Sequence, residues 1–79
     1  MICLLVKIVE RKRYLELCQQ NAVKPHSVFV RFENANYYPI EYRLCFDGNG
    51  QVVNRVVLQD TKANSVVNCL LKEVEEYEN

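Results

Sequence analysis

Residues 46–53, FDGNGQVV, link the alternating apolar stretch IEYRLCF (40–46) to a second one, VVNRVVL (52–58), through two glycines. The length of the loop between them sets the strand register, and register decides which side chains share a face. A loop made only of Gly48 and Asn49 places Phe46 against Gln51, Leu44 against Val53 and Tyr42 against Arg55. A loop of Gly48, Asn49 and Gly50, a turn followed by a left-handed bulge residue, instead places Phe46 against Val52, Tyr42 against Val56 and Ile40 against Leu58. Only the second register gathers the large apolar groups on one side. Asp47 suits the first position of such a turn, and Asn49 and Gly50 are strong turn formers. A phosphate cradle would need a helix to start directly after the glycines so that free amides point at the anion. Gln51 to Val57 has the pattern of a strand, so the glycines are read as a hairpin.

Outward from the hairpin, Ser27–Phe32 is a β-branched and aromatic run that reads as a strand, Glu33 to Asn36 as a turn, and Tyr37–Asp47 as the strand entering the hairpin. Pro39 is confined to the start of that strand or to an edge, because it has no amide to donate. Asp60 to Asn64 is a further turn. Before these strands, Ile8, Leu15, Cys18 and Ala22 keep helical spacing beside Tyr14 and Leu17, which predicts a helix over about residues 10 to 20 ended by Pro25. Residues 2–9 read as a short strand. Residues 65–77 fit either a helical face (Val67, Leu70, Leu71, Val74, Tyr77) or a buried strand at Val66–Leu71, and Asn64 or Ser65 would cap the helix if one followed.

A chain of 79 residues, 49% hydrophobic and 25% charged, makes one small globular domain with little room for a deep cleft. The apolar run Ile2–Val6 is too short to span a membrane or to serve as a signal, which suggests a cytoplasmic protein. Formal charge is zero overall, but residues 1–31 carry six basic and two acidic groups while residues 61–79 carry two and four. The basic front and acidic tail can attract each other within a chain or between two copies. Cys3, Cys18, Cys45 and Cys69 are far apart in sequence, form no C-x-x-C pair and are read as buried free thiols. His26 has no companion histidine and suggests no metal site.

The hairpin register sends Arg43 and Arg55 to the face opposite the apolar layer, directly across from each other. If Val28, Val30 and Phe32 point inward, Arg31 joins them. The three arginines recur at intervals of twelve residues, and with Tyr37 or Tyr38 as a stacking platform they are the candidate binding residues for phosphate or nucleic acid. Phe29, Cys45, Val53 and Val57 share that face, and Glu41 can pair with an arginine there. Lone Ser27, Ser65 and Asp60 form no triad, and no residues suggest a cofactor.

Residues 37–76 carry Tyr38-Pro39, Tyr42, Leu44, Phe46-Asp47, Gly50, Leu58, Asp60 and Lys62-Ala63-Asn64-Ser65-Val66. In these features the chain resembles small proteins of mobile elements (integrative elements, prophages) in Gram-positive gut bacteria, a group that tends to have a histidine where this chain has Asn54 or Arg55. The resemblance implies accessory mobile-element cargo with no catalytic role, and its strand spacing is similar to a curled sheet or SH3-like barrel, favouring a strand at Val66–Leu71.

These readings converge on one α+β domain: an N-terminal helix packed on a bent, three- to four-stranded antiparallel sheet, open or partly closed like an SH3 barrel. The expected function is a non-enzymatic binding or regulatory module acting through a protein partner or homodimer, with nucleic-acid binding by Arg31, Arg43 and Arg55 as the alternative. No membrane, metal or cofactor role is expected.

Overall fold

A computed structural model describes residues 5–77. In chain order they form β1 (Val6–Ile8), α1 (Arg11–Val23), β2 (Val30–Phe32), β3 (Ala35–Phe46), β4 (Val52–Asp60), β5 (Val66–Leu70), a 3₁₀ turn (Leu71–Glu73) and β6 (Glu75–Tyr77). The strands make one antiparallel sheet in the order β1-β6-β2-β3-β4-β5, so the class is α+β as expected. Six strands replace the three or four expected, and with β1 and β5 at opposite edges the sheet is not closed into a barrel. No helix among the described residues is long and apolar enough to cross a membrane.

The glycine loop closes as the three-residue reading requires. Gly50 N–H donates to Asp47 O (3.0 Å) and Asp47 N–H to Gln51 O (2.9 Å), and Gly50 has φ +77°. The Asp47 carboxylate accepts from the amides of Asn49 and Gln51, which holds the turn from inside. Phe46 therefore opposes Val52, Tyr42 opposes Val56 and Arg43 opposes Arg55. The expected Ile40–Leu58 pair does not form, because a bulge between Pro39 and Glu41 sets Pro39 against Leu58 and leaves Ile40 as the extra residue. Proline explains the break: it cannot donate to a ladder, and a bulge is one of the few places a sheet accepts it.

Helix α1 runs three residues past the expected end, because Pro25 constrains only Lys24, which is extended at φ −132°. It docks on the bulge. Tyr14, fully buried, aims its hydroxyl at Val57 O (3.0 Å), with Glu41 O at 3.2 Å. Asn21 Nδ2 donates to Pro39 O at 3.3 Å. The carbonyls displaced by the register shift thus find donors on the helix, and Tyr14 and Leu17 join Val9, Val30, Val56, Leu58 and Val74 in the core.

Several boundaries differ from expectation for local reasons. Strand β2 begins only at Val30, after His26 takes a left-handed φ of 63°. The turn after it is two residues, Glu33 and Asn34, both left-handed (φ 49° and 63°), so β3 already begins at Ala35. Residues 66–70 are a strand, and no helix follows for Asn64 or Ser65 to cap. Asn64 instead turns the chain at φ 59° beside Asp60, whose carboxylate accepts from the Lys62 and Ala63 amides. The short strand expected over residues 2–9 is β1 at Val6–Ile8, and residues 2–4 lie outside the described residues.

The acidic tail does meet the basic front. Strand β6 inserts between β1 and β2, and its buried Glu76 receives Arg13 Nε at 3.0 Å with Lys7 Nζ at 3.8 Å. Arg13 thereby has its pKa raised above the ordinary value, chiefly by the hydrogen bond to Glu76. The pair compensates for three basic residues in the first turn of α1, a position the helix dipole disfavours for cations.

Candidate functional site

Strand parity places Arg31, Arg43 and Arg55 on the sheet face away from α1, as the sequence suggested. They do not form a strip. Arg31 faces Asn36 on β3, and Arg43 lies seven residues further along that strand, which at about 3.3 Å per residue is roughly 20 Å away. Arg31 is occupied by its own surroundings: Nη2 donates to Asn34 Oδ1 (2.7 Å), Nη1 to the Tyr77 hydroxyl (3.3 Å), and the guanidinium lies 5.7 Å from the Tyr77 ring centre. Arg43 donates to Glu41 on the same strand. Arg55 stands opposite Arg43 and is exposed.

The two tyrosines are also committed. Tyr37 points to the helix side, where its ring meets Phe32 edge to face at 5.8 Å. The Tyr38 ring is stacked on His26 at 4.3 Å, so the position of a base is taken by a histidine. His26 is held there by its own amide donating to Asn21 Oδ1 at 2.9 Å.

What the sequence reading missed is the reach of the hairpin. Strand β2 pairs with β3 only as far as Tyr37, and β5 pairs with β4 only as far as Arg55. From Leu44 to Asn54 the sheet is only two strands wide, a β3–β4 arm whose backbone ladder pairs with no other strand among the described residues. The residues expected in a buried layer are exposed on it: Phe46 at 65%, Val52 at 57% and Leu44 at 51%. Tyr42 is half-buried, with its hydroxyl donating to Asn54 Oδ1, and Val56 is fully buried, so the apolar face passes without interruption from core to arm.

The ladder fixes which backbone groups of the arm are free. Asp47 N–H is bonded inward to Gln51 O, and antiparallel bonding alternates, so Cys45 and Arg43 also bond inward to β4. The N–H and C=O groups of Tyr42, Leu44 and Phe46 point outward, past the end of β2, and no described residue hydrogen-bonds to them. Pro39, in the same outward phase, gives up no ladder bond by lacking an amide.

Among the described residues Cys18, Cys45 and Cys69 are free thiols, Cys69 buried and the other two half-buried, while Cys3 lies outside those residues. Burial pushes the Cys69 thiol up to about 11 and raises Cys18 and the Tyr14 phenol. These groups hold their protons longer folded than unfolded, where thiols titrate near about 8.5 and phenols near about 10. Their contribution to stability is complete below the unfolded values and is lost as pH rises toward the folded ones. Urea midpoints are therefore expected to be level near neutrality and to fall steadily above about pH 9, and a midpoint rising over that interval would contradict the burial.

A polar hollow of about 420 Å³ lies between the β2–β3 and β4–β5 turns, lined by Asn34, Asn36, Asp60, Thr61, Lys62 and Tyr77 among others. Its one carboxylate, Asp60, is engaged by two backbone amides that lower its pKa, and Thr61 donates to Asn36 O. The hollow is organised by turn hydrogen bonds. Comparison with family models, curated proteins and solved structures finds no match for the chain.

Proposed function

We propose that the chain is a non-enzymatic association module of the cytoplasm, an accessory protein of a mobile element, and that the β3–β4 arm is its contact surface. The observation that carries this is the arm itself: a two-stranded ribbon exposing Leu44, Phe46 and Val52 on a face continuous with the core. A lone hairpin of this kind is only marginally stable in water, and exposed apolar side chains grouped on a protruding element mark a surface that is covered in use. Arg31, Arg43, Tyr37, Tyr38 and Asp60 each already have a partner within the fold, which leaves Arg55 as the one exposed candidate arginine with no such partner among the described residues and supports association over chemistry or nucleic-acid binding.

Photo-cross-linking in cells tests this reading. With p-benzoylphenylalanine in place of Phe46, discrete protein adducts are expected on irradiation, whereas the same group at Gln19, on the outer side of α1, should give none. Absence of any adduct from the arm would overturn the assignment.

A further inference from the structure

We propose that the arm's occupant is a second copy of this chain, with the free edge of β3 pairing antiparallel to the same edge of the other copy about a two-fold axis at Leu44. The inference rests on the arm being the contact surface and adds the identity and register of what covers it.

The argument starts from the backbone. Tyr42, Leu44 and Phe46 present outward N–H and C=O groups in the spacing that a further strand requires, and an open strand edge is a template for such addition. With the axis at Leu44, Leu44 bonds to Leu44 of the second copy and Tyr42 to its Phe46, which completes the outward bonds of all three residues in both chains. The pairing uses only the stretch beyond the bulge, which leaves Pro39, Ile40 and the helix contacts of Tyr14 and Asn21 undisturbed. Because the strands run in opposite directions, the two helices sit at opposite ends of the joined sheet and do not meet.

Side chains on the helix side agree with this register. On the helix side Tyr42, Leu44 and Phe46 meet their counterparts, so the residues exposed in one chain cover one another in two. On the other side Arg43 falls opposite Cys45 of the second copy, with that copy's Asp47 and Arg43 as its two diagonal neighbours. Within one chain Arg43 faces Arg55, a like-charge pair with only Glu41 to offset it. The second copy brings one carboxylate and one further arginine to that pair, so this face is neutral to the pairing and the apolar face carries it. Self-complementarity of the open backbone edge and of the apolar face thus selects the chain's own arm over an arbitrary apolar partner.

Light scattering on the purified chain is expected to give twice the 9.3 kDa chain mass at high concentration, falling to the chain mass on dilution. In this register the two Cys45 residues are diagonal neighbours, about 7–8 Å apart at Cα. A short bismaleimide should therefore join the copies in the wild type and fail to do so in Cys45→Ser, with the scattering mass unchanged. A chain-mass species at millimolar concentration would overturn the proposal, as would a dimer whose Cys45 thiols do not cross-link. A monomer whose position 46 still cross-links to other proteins in cells removes the second copy alone; a monomer without such adducts removes the arm as a contact surface too.

Discussion

Replacing Tyr14 by phenylalanine is expected to destabilise the domain by about 1–3 kcal/mol, the cost of leaving buried carbonyls without a donor. Tyr14 is fully buried, and its hydroxyl is the group that reaches Val57 O and Glu41 O where the bulge separates β3 from β4. Tyr14→Ala also opens a cavity and is expected to cost about 3–5 kcal/mol. A domain of this length has roughly 4–12 kcal/mol in all, so the alanine variant should be largely unfolded at mild denaturant concentrations. Urea unfolding followed by circular dichroism measures both. A Tyr14→Phe midpoint equal to wild type would show that the hydroxyl does not hold the bulge.

Proline scanning of the arm should produce opposite results at adjacent positions. Leu44→Pro removes an amide that points away from β4, so the fold should be kept to within about 1 kcal/mol, as edge positions tolerate proline. Association should nevertheless weaken by at least about 100-fold, or about 2.8 kcal/mol, because the central bond of the joined edge is lost. Cys45→Pro removes a ladder amide bonded to β4 and should lower stability by about 1–3 kcal/mol while detaching the arm. Denaturation and sedimentation on the two variants check this. A Leu44→Pro chain that associates like wild type would exclude the β3 edge as the interface.

Local chemistry made much of this legible in advance. The register followed from Gly50, the one position in the loop that needs a left-handed residue; the spacing of Leu15, Cys18 and Ala22 located α1 but not its inner face, which is Tyr14 and Leu17, with Leu15 and Ala22 exposed and Ile8 in β1. The missed features depend on contacts distant in sequence. Strand β6 is three residues long and is a strand only because it lies between β1 and β2, so the spacing of Val74 and Tyr77 fitted a helical face and gave no strand signal. The bulge at Ile40 is announced by Pro39, but its position depends on Tyr14 and Asn21 arriving from the helix. Alternation correctly placed Leu44, Phe46 and Val52 on the core face, yet whether that face is covered depends on where β2 and β5 stop, which no pattern within the hairpin records. The arginines illustrate the same limit: parity gave Arg31, Arg43 and Arg55 a shared face, while their separation along the sheet came only with the pairing of β2.

Amide hydrogen exchange along β3, read residue by residue by NMR at two protein concentrations, bears on all of this at once. Arg43 and Cys45 amides should be protected at both concentrations through β4, while Tyr42, Leu44 and Phe46 amides should exchange rapidly in dilute solution and become protected as concentration rises. Protection in the opposite phase would contradict the glycine-bulge register. Rapid exchange of Leu44 and Phe46 at every concentration would contradict the paired edge.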